Sequence, residues 1–99
     1  GSVKKWIAHS DGFAKGEIHL NERAVEVLTG EQTVSLLPVG VTRIEGDFEK
    51  DDIVCLMDHS GCRIGVGRVA YDAVEARNVI GKHGQRPLIH CDYLYLENL

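Results

Sequence analysis

The chain has 99 residues, of which 43% are hydrophobic and 26% are charged, and its formal net charge at pH 7 is -4. This length and composition predict one globular domain with a single core, and they exclude a disordered or fibrous chain. The acidic balance disfavours RNA or DNA binding through a basic face, and no apolar run reaches the ~20 residues that cross a bilayer.

The three cysteines, Cys55, Cys62 and Cys91, do not form a dense, even-numbered framework, which favours reduced thiols. No charged and then apolar leader precedes a cleavage site. We therefore expect a cytoplasmic protein with no membrane partner.

The first 16 residues are expected to lie outside the domain proper and to connect to it. Residues 1–2, Gly-Ser, resemble the scar left by tag removal. In residues 3–16, Trp6 and Ile7 follow two lysines, and turn formers dominate the rest. We interpret 3–16 as a linker and docking segment, with Trp6 as a candidate interdomain contact, and 17–97 as the domain.

Residues 17–20 alternate between polar and apolar side chains, which predicts a strand with Ile18 and Leu20 facing inward. Asn21 is a favourable N-cap, and the helix that follows ends at Gly30. This is the first of two predicted helices.

Residues 35–57 organise the remainder of the chain. Pro38 biases the preceding residue toward extended backbone, and Gly40 is expected to adopt a positive φ in the turn. Residues 41–45 predict one strand, and the apolar run Ile53–Met57 predicts a buried one.

The second half predicts a hairpin, a helix and two strand pieces. Residues 58–61 connect the hairpin, and Ile64 and Val66 are expected to share one face of its second arm, with a bulge near Gly65 or Gly67. Asp72 begins the second helix and Gly81 ends it. Residues 88–90 and 94–96 are the strand pieces.

These elements predict a mainly β fold with two short helices, in which about six short strands form a partly closed, mixed β-barrel, or pseudobarrel. Because strands and helices do not alternate regularly, the pattern disfavours a doubly wound α/β sheet.

The order of these segments resembles a PUA domain. The segments are SLLPVGV at 35–41, IEGDFEKDDIV at 44–54, RIGVGRVAY at 63–71 and IHCDYLYL at 89–96. With KKWIA at 4–8 and the ending His-x-Asp-x-Leu-x-Leu, they are similar to the C-terminal PUA domain of the glutamate 5-kinase family. Three residues depart from that family's pattern: Arg23 and Asp51 stand in place of Gly, and Cys91 in place of Arg.

The resemblance implies a parent enzyme that uses ATP and Mg²⁺ to phosphorylate L-glutamate in the first step of proline biosynthesis. Its catalytic amino-acid-kinase domain precedes the PUA domain in the same chain. The fragment itself is expected to be non-catalytic, to need no cofactor, and to act in regulation or assembly, with homo-oligomers as candidate partners.

The same resemblance implies a candidate surface for RNA or a partner, because PUA domains of RNA-modifying enzymes hold RNA at the turn after the first helix. Its residues are Leu37, Pro38, Gly40, Val41, Arg43, Arg68 and Tyr71. Gly40 would admit close backbone approach, whereas the two arginines and Tyr71 would contact phosphate or stack on a base. RNA binding is the alternative function, although the acidic net charge of the chain disfavours it.

Two further groups contain reactive residue types. Cys55, Asp58, His59 and Cys62 are metal-ligand types without the pair spacing of a zinc site, so we predict no metal there. His90, Cys91 and Asp92 are consecutive in a segment expected to be extended, where side chains alternate between faces. We therefore predict no catalytic residues.

Overall fold

The computed structural model describes residues 2–97. Its centre is a five-stranded mixed sheet with the order β2-β1-β3-β4-β5, in which only β1 and β3 are parallel. The strands are β1 Gly16–Leu20, β2 Val41–Gly46, β3 Ile53–Met57, β4 Arg63–Arg68 and β5 Leu94–Leu96. The α-helices are α1 Ser2–Ala8, α2 Glu22–Leu28 and α3 Ala73–Val79.

Local sequence signals account for β1, α2 and α3. Ile18 and Leu20 are buried in the principal core, as the alternation predicts. The Asn21 side chain accepts a hydrogen bond from the amide of Ala24 at 2.7 Å, so it is the N-cap of α2. Asp72 caps α3 in the same way.

The β3-β4 hairpin contains the predicted bulge, but its position changes which residues share a face. Leu56 pairs with Gly65 and Met57 with Arg63, so Ile64 is the additional residue. Ile64 packs in the principal core, whereas Val66 packs in a second cluster on the other side of the sheet. The expectation that these two side chains share a face was therefore wrong.

Two other expectations need correction. Residues 88–90 do not form a strand, because only a single bridge joins Ile89 to Leu36. A third helix, α1, lies within the segment predicted to be a linker, and its Ile7 packs against Ile53 and Val66. The boundary between 3–16 and 17–97 stays a prediction.

The principal core lies between one face of the sheet and the helices α2 and α3. Helix α1 covers part of the opposite face, over β4 and β5. The mainly β, mixed architecture is as predicted, although β2 and β5 are not paired with each other among the described residues, so the sheet is open at this seam. Within residues 2–97, no helix has the length and apolar character needed to span a bilayer.

Candidate functional surfaces

The turn predicted as a contact surface is held tightly against α2. Pro38–Gly40 forms one 3-10 turn. The Gly40 carbonyl accepts a hydrogen bond from the Asn21 amide at 2.9 Å, and the Pro38 carbonyl accepts one from the Gly81 amide at 2.8 Å. A Cβ on Gly40 would lie 2.6 Å from the Cβ of Ala24. The glycine is therefore required by contact between the turn and the helix.

The expected positive φ at Gly40 was wrong. The described glycines with positive φ are Gly46, Gly61, Gly81 and Gly84. The sequence signal for glycine was correct, but its cause is the small Ala24 side chain on a neighbouring helix, which no local pattern reveals. The sequence predicts Ala24 in the first helix but not its contact with Gly40.

Beside this turn lies an apolar groove of about 400 Å³, between α2 and residues 34–40. Leu28 and Leu36 are buried there, whereas Val27 and Leu37 remain 42% and 46% exposed. Arg23 is the cationic side chain in its lining. Leu37 is therefore accessible to a ligand bound in this groove.

The other residues of the predicted surface in this turn are less accessible than Leu37. Pro38, Gly40 and Val41 are buried, so within the predicted surface the turn offers a ligand mainly the side chain of Leu37.

Arg43 belongs to a charged cluster on the exposed face of β1 and β2. Its guanidinium Nη2 lies 3.3 Å from His19 Nε2 and 3.5 Å from a Glu45 carboxylate oxygen. His19 Nε2 is also 3.0 Å from Glu17 Oε1. A side-chain hydrogen bond between Glu45 and Glu17, and then the positive charge of Arg43, lower the pKa of Glu45 below its usual value.

Glu17, His19 and Glu45 place one ligand atom each within 4.8 Å of one another. Two carboxylates and an imidazole suit a divalent cation. Here, however, the Arg43 guanidinium offsets one of the two carboxylate charges, and His19 contacts both carboxylates, so the arrangement is an ion-pair network on the strand surface.

Arg68 lies on another part of the sheet. Its guanidinium carbon stands 4.2 Å above the ring centroid of Tyr93, and its Nε is 3.6 Å from Asp51. Arg68 pairs with Ile53 at the start of β3, whereas Arg43 pairs with His19, which is level with the end of β3. The structure therefore does not bring the two predicted arginines together.

Tyr71 lies in the core. Only 1% of its surface is exposed, its hydroxyl donates a hydrogen bond to the Arg86 carbonyl at 2.8 Å, and the Arg86 guanidinium covers its ring at 3.9 Å. The ring has no free face on which a base could stack, so we leave Tyr71 out of the surface considered below.

The loop after β3 is a hydrogen-bonded turn. One carboxylate oxygen of Asp58 accepts hydrogen bonds from the amides of Ser60 and Cys62, both at 2.9 Å. The Cys62 amide is the largest cause of the lowered pKa of Asp58. Among the described residues, the two groups of three candidate metal ligands do not include Cys55, Asp58, His59 or Cys62.

The geometric premise about His90, Cys91 and Asp92 was wrong. His90 begins the 3-10 turn Cys91–Tyr93, and its Nδ1 accepts a hydrogen bond from the Asp92 amide at 3.1 Å. Because the backbone turns here, one ligand atom from each of the three side chains lies within 4.8 Å of the others. Nδ1 is already engaged as a cap, so it is not free to act as a base.

Helix α1 presents large apolar side chains to solvent. Trp6 is 62% exposed and Val3 47% exposed, and Phe13 in the following 3-10 turn is 74% exposed. The sequence analysis identified Trp6 but missed Val3 and Phe13, since a turn-rich segment carries no periodicity. An aromatic residue among turn formers was the available signal.

These elements define the class of the protein. Residues 16–90 match the family model of the PUA domain, and the chain belongs to this family. Its likeness to curated proteins is more particular. The chain is 60% identical over 96 residues to the glutamate 5-kinase of Bacteroides thetaiotaomicron, covering 97% of the chain and 27% of that relative. It is 43% identical to that of Chlorobaculum tepidum, again covering 27% of the relative. The chain thus spans about a quarter of these relatives' length.

Solved structures support the fold. A PUA domain from Aeropyrum pernix, solved as a tartrate complex, aligns with a TM-score of 0.65 and 20% identity over 77% of this chain and 41% of that one. An archaeal box H/ACA sRNP Nop10-Cbf5 complex aligns with a TM-score of 0.56 and 18% identity over 97% of this chain and 26% of that one. Together with the open mixed sheet, these alignments confirm a PUA-like fold that is compatible with a pseudobarrel.

Proposed function

We propose that this chain is the non-catalytic PUA domain of a glutamate 5-kinase. The parent enzyme would use ATP, with Mg²⁺, to phosphorylate the side-chain carboxylate of L-glutamate, forming L-glutamyl 5-phosphate in the first step of proline biosynthesis. The observation that carries this proposal is the 60% identity over 97% of the chain to one glutamate 5-kinase. Because the match spans 27% of that relative, the amino-acid-kinase domain lies in the remainder.

The glycines of β4 support a structural role for this domain. Gly65 and Gly67 form the only G-x-G of the sequence. A Cβ on Gly65 would collide with the Tyr95 carbonyl, and one on Gly67 would lie 2.9 Å from Ile89 side-chain atoms. The glycines permit close packing between segments, and they do not open a loop at a helix N-terminus, as a phosphate cradle requires.

The role we propose is regulation or assembly of the kinase, through contacts with its catalytic domain or with neighbouring subunits. Such a domain changes activity only by the difference in its contact free energy between two states of the enzyme. A homo-oligomer would place several PUA domains in one assembly. Cytoplasmic localisation is part of the same proposal.

The test compares the intact parent enzyme with a version that ends before Lys4. Glutamate-dependent ATP consumption is measured across concentrations of glutamate, proline and Mg²⁺, and the oligomeric state of each version is measured by light scattering. We expect both versions to form glutamyl phosphate but to differ in effector response or oligomeric state. Identical behaviour would refute the accessory role, and an intact enzyme without kinase activity would refute the parentage.

RNA binding is the second candidate, because the groove beside α2 combines exposed Val27 and Leu37 with the cationic Arg23. A relative in fold occurs in a box H/ACA sRNP complex. Binding of a fluorescent single-stranded RNA should weaken as salt rises. Arg23→Ala should weaken it further, whereas Arg68→Ala, on the other surface, should not. Equal effects of the two substitutions, or no binding at low salt, would contradict this function.

A further inference from the structure

The apolar surface of helix α1 extends beyond the part that the sheet covers. Ile7 is fully buried and packs against Ile53 and Val66 of the sheet. Val3 and Trp6, three residues apart and therefore neighbours on the helix surface, remain largely exposed. Val3 is four residues from Ile7 and Trp6 is adjacent to it, so the exposed side chains widen the apolar stripe that begins at Ile7. The sheet covers the Ile7 part of this stripe, and the adjoining Val3 and Trp6 side chains are left uncovered by it.

The segment after α1 displays Phe13 from a fixed backbone. Ser10 is 3% exposed, and its hydroxyl donates a hydrogen bond to the Ile7 carbonyl at 2.7 Å. The Phe13 amide donates to the Ser10 carbonyl at 2.9 Å, and the Lys15 amide donates to the Ile53 carbonyl at 2.8 Å. This segment is tied to the sheet, so a contact through its aromatic ring requires no further ordering of the backbone.

Aromatic residues on a preorganised surface are typical of the anchors that dominate protein interfaces. Six large hydrophobic side chains are exposed among the described residues, and three of them, Val3, Trp6 and Phe13, lie within the first 13 positions. We name these three residues the α1 surface. Lys5 is exposed within the same helix, so a partner should combine an apolar patch with acidic side chains at its rim.

We propose that the α1 surface docks on the amino-acid-kinase domain of the same longer chain, an inference that rests on the proposed function. The PUA family match begins at residue 16, whereas the 60% identical glutamate 5-kinase matches 96 of the 99 residues. The α1 surface therefore precedes the family match but lies largely within the match to the kinase. The chain spans 27% of that relative, so most of the protein is available to cover it.

The experiment is hydroxyl-radical footprinting, read by mass spectrometry, of the intact enzyme and of the 99-residue chain. The oxidation rates of Trp6 and Phe13 should be at least about fivefold lower in the intact enzyme, because side chains at an interface core are excluded from solvent. Leu37, which is exposed on the other side of the domain, is the internal control and should react equally in both.

Equal oxidation of Trp6 in both proteins would overturn the inference. Protection of Trp6 in the 99-residue chain that increases with concentration would assign the surface to a second copy, and would also overturn it. Glutamate-dependent ATP consumption of the same intact sample tests the proposed function separately. An active kinase with an unprotected Trp6 refutes docking alone, whereas an inactive protein refutes the parentage.

A second measurement uses the intact enzyme with Trp6→Ser and Phe13→Ser together. Loss of the contact should increase amide hydrogen exchange in the kinase-domain peptides that cover the α1 surface. Val74→Ser, at a side chain that is 67% exposed on α3, is the matched control and should leave those peptides unchanged. An unchanged exchange pattern in the double variant would contradict docking.

Discussion

The contact between Gly40 and Ala24 makes a quantitative prediction. In Gly40→Ala, the new methyl group would lie 2.6 Å from the Ala24 Cβ, whereas carbon atoms in contact are about 3.5–4.0 Å apart. The helix and the turn would have to separate by about 1 Å. The hydrogen bond between the Asn21 amide and the Gly40 carbonyl resists this movement. We expect a loss of about 1–3 kcal/mol in the free energy of unfolding.

The reciprocal substitution tests the cause. Ala24→Gly alone should cost about 1 kcal/mol, because glycine is a poor helix former. Combined with Gly40→Ala, it removes the methyl group that causes the collision, so the double variant should be at least about 1 kcal/mol more stable than the sum of the single changes predicts. Urea unfolding followed by circular dichroism measures all three variants.

Gly12→Ala is the control, since a Cβ there meets no atom within 4 Å. It should leave the urea midpoint almost unchanged. If the effects of Ala24→Gly and Gly40→Ala add without coupling, or if Gly40→Ala is neutral, the close approach is not the reason for the glycine.

Three further predictions concern local structure. Asp51 has a positive φ of 76°, so Asp51→Gly should stabilise the fold by about 0.5 kcal/mol, because the relieved strain exceeds the entropy cost of glycine. Asp51→Ala keeps the strain and should not stabilise the fold. Equal unfolding temperatures for the two variants would refute this prediction. Asn21→Ala should lower the free energy of unfolding by about 1 kcal/mol, and Asn21→Ser should lower it much less, because serine is also a good N-cap. Equal losses of stability in thermal unfolding would contradict this prediction. Folding lowers the pKa of Asp58 below its usual 3.8. The ionised carboxylate therefore stabilises the fold above pH 3.8, and this stabilisation is lost as the pH falls through the pKa of the folded state. The stability advantage over Asp58→Asn should therefore shrink in this acidic range, and a constant difference in urea midpoints would contradict it.

The close packing of the turn also bears on function. Since Gly40 is explained by Ala24, the glycine is not by itself an indication of ligand approach. Leu37 and Val27 remain as the exposed apolar side chains at this groove. The proposal of RNA binding therefore rests on the groove. The contact between Gly40 and Ala24 maintains the fold whether or not a ligand binds.

The amino-acid sequence by itself determined the elements whose signals are local. The alternation at Ile18 and Leu20 predicted β1, and Asn21 and Asp72 predicted the starts of α2 and α3, because a strand face or an N-cap depends on residues within a few positions. The ordered motifs also indicated the PUA family, which the match over residues 16–90 confirms.

Only the tertiary structure decided how distant segments meet. The bulge at Ile64 separates its side chain from that of Val66, and the strand register places Arg43 and Arg68 apart. The ring of Tyr71 is covered by Arg86, fifteen positions away in the chain. These outcomes depend on strand register and on packing across the core, where a shift by one residue reverses the direction of a side chain. Local patterns do not contain that information.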